Sequence, residues 1–189
     1  KGLEADPHLL FVQYENYQKV SFRNRMVVAG GAGPIVLTIP LRDGRNQKRL
    51  MKDVLIDHRT TWRSTHWKTI VSCYNRSPWF EFYRDELDEL YKTSFDFLTD
   101  WNLACFKWIL EKLDLKLTVS LTDRWEENYS GEYADWRNKF LPGLIQIRYP
   151  DAPRYRQVFS ERTGFIPHLS ILDLLFCEGK NAWTILSQP

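Results

Sequence analysis

Short apolar runs separated by polar or glycine-rich stretches dominate the first third of the chain. Residues 8–13, HLLFVQ, form one such run, and their strand-forming side chains predict a strand that is covered on both faces. Two further runs, MVVAGG and GPIVLTIPL, flank a glycine-rich join that permits a tight turn, so residues 26–41 are predicted to form a β-hairpin. A brief apolar alternation at residues 53–57 predicts a short strand.

From residue 60 the apolar period changes from that of a strand to that of a helix. One face of the first predicted helix, residues 60–74, carries Trp62, His66, Ile70 and Cys73. Ser77 and Pro78 form a typical helix start, which predicts a second helix that runs to about Lys92. A third predicted helix, residues 95–113, has apolar positions on more than one stripe, so we expect it to be central and largely buried.

The second half of the chain has weaker patterns. Residues 115–122, LKLTVSLT, alternate cleanly and predict a strand of a half-covered sheet, whereas residues 144–149, LIQIRY, are ambiguous and could form a strand. The other predicted elements are a short helix at 134–140, a strand at 155–159, a helix at 168–178 that ends at Gly179, and a half-helix at 181–187. Together these elements predict one α/β domain over residues 1–189, a mixed β-sheet with flanking helices.

The composition predicts a folded domain with little affinity for polyanions. Lys and Arg total 26 against 24 for Asp and Glu, a net charge of +2, so no nucleic-acid partner is expected. No apolar run approaches the roughly 20 residues of a membrane span, so no membrane association is expected either. The cysteines, Cys73, Cys105 and Cys177, are odd in number and lie in apolar helical stretches, which predicts reduced thiols in a cytoplasmic protein.

Several common kinds of catalytic site lack their sequence patterns. The histidines form no two-His helical motif, and no cysteine pair has zinc-ligand spacing, so no metal site is predicted. The hairpin glycines do not lead into a helix, which argues against a dinucleotide fingerprint or a P-loop. No serine lies in a nucleophile elbow and no cysteine has a neighbouring base, so neither a covalent nucleophile nor a cofactor is predicted.

Residues 14–25, YENYQKVSFRNR, concentrate cationic and amide side chains after the first predicted strand. Arg23 and Arg25 would point to the same side of an extended strand, with Asn24 opposite. Guanidinium groups at this spacing can clamp a phosphate or a carboxylate, and ligands of open α/β sheets bind beyond the ends of strands. The alternative interpretation is that these arginines only line an edge strand.

Other chemistry-bearing side chains also have structural explanations. His66 shares a helix face with Trp62 and is either a hydrogen-bonded core histidine or an acid–base group. Ser170 and Asp173 have the spacing of a helix capping box, which explains them without a ligand. Tryptophans at helical spacing are typical of a core, although exposed ones could stack on a base or a sugar.

Four segments resemble those of a known family: ENYQKVSFRNR, LTIPL, TTWRSTHWKTIVSCYNRSPWFEFY and FIPHLSILDLLFCEG. In this order they resemble the WbqC-like family of bacterial proteins over nearly the whole chain. The resemblance implies a group-transfer enzyme that acts on a sugar or nucleotide-sugar intermediate in surface-polysaccharide and O-antigen biosynthesis. The alternative is a non-catalytic nucleotide- or glycan-binding module. Family members commonly begin with a strand and a helix ahead of the segment matching residues 8–19, so we expect this beginning to be missing here.

The resemblance also implies the residues of a site. Arg23, Asn24 and Arg25 would hold an anionic or sugar-bearing substrate, and Glu15 and Lys19 would orient it. The predicted catalytic residues are His66, as the acid–base group, and Glu15; the predicted substrate-binding residues are Asn16, Lys19, Arg23, Asn24, Arg25, Trp62, His168 and Asp173. His168 stands where the family has asparagine. We expect Arg23, Arg25 and His66 to line one concave pocket.

Overall fold

The strands of the protein form two small sheets. The computed structural model describes residues 7–127, 129 and 133–187. Its strands are β1 (His8–Phe11), β2 (Arg25–Gly30), β3 (Gly33–Thr38) and β4 (Thr118–Leu121). β1 pairs in parallel with β4, and β2 pairs with β3 in the predicted antiparallel hairpin. The hairpin turn needs a glycine because Gly33 has a φ of 126°.

Helices supply most of the remaining regular structure. The long helices are α1 (Trp62–Tyr74), α2 (Phe80–Lys92) and α3 (Leu98–Lys112). The shorter ones are α4 (Ile145–Arg148), α5 (Ser160–Thr163), α6 (Ile171–Glu178) and α7 (Ala182–Ser187). Single 3-10 turns lie at Phe22–Asn24, Met51–Asp53 and Gly179–Asn181. The predicted helices at 60–74, 78–92, 95–113, 168–178 and 181–187 are therefore confirmed to within a few residues at their ends.

One hydrophobic core joins the hairpin to the helices. Val28 of β2, Tyr74 of α1, Phe80 of α2, Leu98 of α3 and Phe176 of α6 are all fully buried in it. Three of the predicted core tryptophans are also buried: Trp62, Trp101 and Trp108. The hairpin, the long helices and α6 therefore form one mixed α/β unit, which confirms the predicted fold class.

Two predictions in the second half of the chain are wrong because hydrogen bonds from side chains take the place of the backbone hydrogen bonds of the predicted strand and helix. Residues 155–159 form no strand, because the amide of Gln157 bonds both the N–H and the C=O of Ile166 at 2.8 and 2.7 Å. Residues 134–140 form a turn and no helix. The carboxylate of Asp135 accepts from the N–H of Arg137 at 2.9 Å, and Asn138 has a left-handed φ of 58°.

Two short segments also differ from their predicted form. The strand expected at 53–57 is replaced by the 3-10 turn at Met51–Asp53 and by isolated bridges from Leu55 and Ile56 to other segments. The ambiguous LIQIRY segment forms the single-turn helix α4, because it follows a Pro-Gly turn and its N–H groups bond back to Leu141 and Leu144.

Candidate functional site

The hairpin register and helix α1 together bring His66 close to Arg25. Arg25 opens β2 and is the pairing partner of Thr38, the last residue of β3. The Thr38 carbonyl accepts a hydrogen bond from Nε2 of His66 at 3.1 Å. The spacing along α1 that buries Trp62 and Ile70 on one face also buries His66 on that face. Strand pairing thus places Arg25 beside Thr38, and helix periodicity places His66 beside the same residue.

Arg23, Arg25 and His66 line one cavity of about 190 Å³, which we call the His66 cavity. Its walls are mainly apolar and include Met26, Leu37, Ile39, Tyr91, Trp101 and Trp108. Asn102 and Ser170 add polar groups. A charged or polar ligand group held there would lie largely away from water, where electrostatic interactions are stronger than at the surface.

Arg25 carries a cationic charge that no carboxylate of a described residue compensates. Among the described residues, its guanidinium has no hydrogen-bond or ion-pair partner, and its Nε is buried. A buried N–H donor without a partner is costly, so an occupant that supplies an anionic oxygen to Nε would be favoured. A guanidinium can bind a carboxylate or phosphate through two parallel hydrogen bonds.

His66 is a neutral base with a defined tautomer. A carbonyl oxygen can only accept, so the bond to Thr38 requires a proton on Nε2 and leaves Nδ1 with its lone pair. Burial lowers the pKa of His66 below its usual value, and the hydrogen bond to Thr38 opposes this only in part. The neutral imidazole is therefore the stable form at neutral pH. Its Nδ1 atom is available as a proton acceptor.

Arg23 differs from Arg25 because its donors are already occupied. Its Nε and Nη2 donate to Oε1 of Glu15 at 3.2 and 2.5 Å, and its Nη1 donates to Gln18 at 3.2 Å. Nη2 also donates to the side-chain oxygen of Asn138 at 3.2 Å. The Glu15 and Arg23 side chains are only 17% and 16% exposed. This geometry matches the structural alternative, in which Arg23 holds the 14–25 segment in place.

Glu15 lies in a second, larger cavity next to the first. This cavity of about 390 Å³, which we call the Trp136 cleft, is lined by Trp136, Phe140, Arg137, Asn138, Glu15 and Gln13, among others. Phe22, Arg23 and Asn102 line both cavities and so form the partition between them. The two predicted catalytic residues, His66 and Glu15, are therefore in adjacent cavities and not in the same one.

Three residues of the 14–25 segment that were predicted to bind the substrate lie outside both cavities. Asn24 is buried, accepts from the hydroxyl of Tyr17 and donates to the carbonyl of Ile39 at 2.9 Å, which makes it a structural link. Asn16 is exposed and forms an isolated bridge with Leu50, and Lys19 is exposed and bonds Asn46. Their predicted contacts with a substrate have no geometric support.

Trp62, His168 and Asp173 also lie away from the His66 cavity. Trp62 is buried and packs its ring edge-on against His66, with 5.1 Å between the ring centroids. His168 has a left-handed φ of 58°, a conformation that asparagine and histidine tolerate better than most residues. Asp173 is fully buried and accepts from the hydroxyls of Tyr74 and Tyr155, each at 2.7 Å.

The capping role predicted for the start of α6 holds for only one of its two residues. Ser170 is the N-cap and its hydroxyl accepts from the N–H of Leu172 at 3.4 Å. Asp173 makes no side-chain cap, because its carboxyl group bonds the two tyrosines. Burial raises the pKa of Asp173, and the two tyrosine hydrogen bonds oppose that rise.

Some residues of the site were missed by the sequence analysis. Asn102 lies in the largely apolar helix α3, and a lone amide on such a helix was a usable signal. It donates to the backbone carbonyl of Arg23 at 2.8 Å and so fixes the partition. Trp136, Arg137 and Asn138 come from a segment whose weak pattern predicted a helix that does not form, so the sequence could not place them beside Glu15.

Metal and membrane features are absent from the part of the chain that the structure describes. There, no cluster of His, Cys, Asp or Glu side chains is arranged to bind a metal ion. Cys73, Cys105 and Cys177 are free thiols, and burial raises the pKa of both Cys105 and Cys177 to about 12. None of the described helices combines the length and the apolar character that a membrane span requires.

Comparison with known proteins supports the relationship that the four segments suggested. A family model described as the WbqC-like protein family matches residues 3–140 and 132–185. The chain is also 25% identical over 203 residues to the uncharacterized protein Rv1507c of Mycobacterium tuberculosis (strain ATCC 25618 / H37Rv). That alignment covers 91% of this chain and 85% of the relative. No solved structure matches the chain. The family model covers most of the sequence, and the chain belongs to the WbqC-like protein family.

Proposed function

We propose that the protein is a group-transfer enzyme acting on an anionic, sugar-bearing intermediate of bacterial surface-polysaccharide biosynthesis. The observation that carries the proposal is the pairing, in one apolar cavity, of an uncompensated guanidinium with a neutral imidazole of fixed tautomer. A cytoplasmic location and a small-molecule substrate, such as a nucleotide sugar, are part of this proposal.

His66 acts as the general base in this scheme. Its Nδ1 accepts the proton of an acceptor hydroxyl or amine as that group attacks the activated donor. The bond between the transferred group and its leaving group breaks in the same reaction, and the leaving group, the thiolate in the case of a thioester donor, departs with the electron pair of that bond. Arg25 stabilises the negative charge of the donor, which increases in the transition state. A positioned general base contributes about 10²- to 10⁴-fold to the rate of such reactions. The apolar walls strengthen both effects because they exclude water.

The size of the His66 cavity limits what it can hold. Its volume of about 190 Å³ lies below the roughly 300–1,000 Å³ of a typical small-molecule pocket. We therefore assign to it only the reacting group and an adjacent anionic oxygen, such as a short acyl group or one phosphate. The remainder of the substrate lies outside this cavity.

The second candidate function is a non-catalytic glycan-binding module. Its support is the exposed aromatic side chains of the Trp136 cleft, where Trp136 is 53% and Phe140 is 44% exposed. A binding module needs no base, so this alternative explains His66 only as a core histidine. The two candidates differ in what the substitution of His66 would do.

Product mass spectrometry tests the enzymatic proposal. Purified protein is incubated with a UDP-linked amino sugar together with a short acyl thioester, and the masses of all products are recorded over time. Native mass spectrometry of the freshly purified protein first shows whether a sugar-containing ligand co-purifies and, if so, that compound replaces the probe. The variants are Arg25→Gln, His66→Asn and, as a surface control on α2, Arg84→Gln.

We expect a product mass with the wild type and with Arg84→Gln, and a loss of at least about 100-fold with His66→Asn. Arg25→Gln should lose both turnover and ligand binding. A co-purified sugar ligand that neither the wild type nor any variant converts would support the binding module. Full turnover by His66→Asn would contradict the proposed role of the imidazole.

A further inference from the structure

The charges that line the Trp136 cleft are compensated within the protein, in contrast to the His66 cavity. Arg23 is paired with Glu15. Arg137 is held by the carboxylate of Asp135 and by two backbone carbonyls, and its guanidinium also lies 5.0 Å from the ring centroid of Tyr129. Among the described residues that line this cleft, a phosphate would find no unpaired cation, and it would approach the Glu15 carboxylate. The exposed Lys139 is not part of this lining. The cleft is therefore suited to a neutral ligand.

The described residues of the cleft offer both a free hydrogen-bond acceptor and a free hydrogen-bond donor. Both bonds from Arg23 to Glu15 end on Oε1, so Oε2 can accept another hydrogen bond. Asn138 accepts through Oδ1, and its Nδ2 donates to none of the described residues. A sugar hydroxyl both donates and accepts, so neighbouring hydroxyls can satisfy a carboxylate acceptor and an amide donor at once.

An aromatic wall accompanies these polar groups. Phe140 stacks on Trp136 with 5.5 Å between ring centroids and an angle of 11°, and Tyr149 stacks in turn on Phe140. This stack fixes the orientation of the indole. The ammonium of Lys139 lies 5.2 Å from the indole centroid, and since Lys139 is exposed this cation–π contact is weak. A ligand ring can displace it.

From these observations we infer that the Trp136 cleft is a binding site for a neutral pyranose ring, which packs on Trp136 and bonds its hydroxyls to Glu15 and Asn138. Its volume of about 390 Å³ is within the range of small-molecule sites. The inferred sugar binding does not require that the protein be an enzyme. We also infer that the sugar of the enzyme's substrate lies in this cleft, beside the His66 cavity, and this part of the inference rests on the proposed function. Arg23 and Asn102 form the boundary between the cleft and the His66 cavity.

Ligand-observed saturation-transfer NMR with the intact protein tests the site. The probes are methyl hexopyranosides, which are neutral sugars, and uridine, which is a neutral aromatic ring. The variants are Trp136→Ala and Asn138→Gly, in which glycine tolerates the left-handed backbone. The matched control is Trp125→Ala, because Trp125 is 55% exposed and lines neither cavity. Melting curves confirm that each variant folds.

We expect saturation transfer to the ring C–H protons of at least one methyl hexopyranoside, with binding weakened about tenfold by Trp136→Ala and unchanged by Trp125→Ala. Asn138→Gly should weaken it several-fold. The inference is overturned if no methyl hexopyranoside binds, if Trp136→Ala binds as well as the wild type, or if uridine binds more tightly at the same site. Sugar binding without any turnover contradicts the proposed enzyme alone, whereas turnover that Trp136→Ala leaves intact contradicts this sugar site alone.

Discussion

At the scale of single residues, the local charge balance separates two arginines that look equivalent in the sequence. Arg23 lies within the 3-10 turn Phe22–Asn24, and its guanidinium bonds Glu15, Gln18 and Asn138, which use all of its nitrogen atoms. Arg25 begins a strand and its guanidinium has no partner among the described residues. We therefore assign anion binding to Arg25 and a structural role to Arg23.

Substituting each arginine by glutamine should give opposite results. Arg25→Gln should weaken binding of a small anion such as inorganic phosphate by about 2 to 4 kcal/mol, with little change in thermal midpoint. Arg23→Gln should leave that affinity unchanged but lower stability by about 1 to 3 kcal/mol, because Glu15 loses its buried partner. Calorimetric titration and melting curves on both variants check this. Unchanged phosphate affinity in Arg25→Gln would refute the assignment.

The pH dependence of activity should follow the neutral form of His66. Since burial lowers its folded-state pKa, the rate should rise with pH to a plateau, with its midpoint below about 6.5.

The free energy of unfolding should also rise with pH. Between the folded-state pKa and about 6.5 the unfolded chain binds the proton more tightly, so stability falls as pH falls through this window and is fully present above it. Rate and unfolding measurements from pH 5 to 8 check both, and a rate that falls as pH rises through this range would contradict the assignment.

At the scale of elements, a buried hydrogen-bond network joins α1, α6 and β2. The hydroxyl of Tyr74 accepts from the N–H of Ala29 at 2.8 Å and donates to Asp173 at 2.7 Å. Tyr74→Phe removes both bonds inside the core and should cost about 1 to 3 kcal/mol. The matched control is Tyr83→Phe, because the Tyr83 hydroxyl is buried without a partner among the described residues and its loss should be neutral or stabilising. Chemical denaturation that ranks the two variants in the reverse order would contradict this account.

The end of α6 depends on a glycine. Gly179 has a φ of 56°, and a Cβ atom there would lie 2.2 Å from Cδ2 of Trp79. Gly179→Ala should therefore destabilise the protein by about 2 to 4 kcal/mol through backbone strain and overlap with the indole. Gly143→Ala is the control because its Cβ would meet nothing within 4 Å. Urea denaturation compares the two, and equal stability would show that Trp79 can move aside.

The elements that the sequence predicted correctly are those with local periodicity. The hairpin is specified by its apolar runs and glycines, and α1 to α3 by positions three or four residues apart. The strand predicted at 155–159 and the helix predicted at 134–140 were wrong because the side chains of Gln157 and Asp135 bond backbone groups nearby in the sequence, and because Asn138 has a left-handed φ. Such contacts leave no periodic pattern in the sequence.

At the scale of the whole molecule, the candidate site could be predicted only in part. The sequence placed Arg25 and His66 together because both belong to long, recognisable segments. It could not separate Arg23 from Arg25, since that difference depends on the side-chain positions of Glu15, Gln18 and the distant Asn138, which no periodic pattern encodes. It could not place the Trp136 cleft either, because tertiary contacts alone assemble that wall. Two adjacent cavities, one with an unpaired cation and one neutral, are a property of the folded chain.

The central claim is that an anion binds at Arg25 beside the base His66, and histidine NMR tests it most directly. The chain has four histidines, so the ring signals of His66 can be assigned by comparison with His66→Asn. The pKa of His66 is measured with and without saturating inorganic phosphate, in the wild type and in Arg25→Gln. We predict that phosphate raises the His66 pKa in the wild type, because a nearby negative charge favours the imidazolium, and leaves it unchanged in Arg25→Gln. A wild-type His66 pKa that phosphate does not move, or an equal rise in Arg25→Gln, would contradict the account.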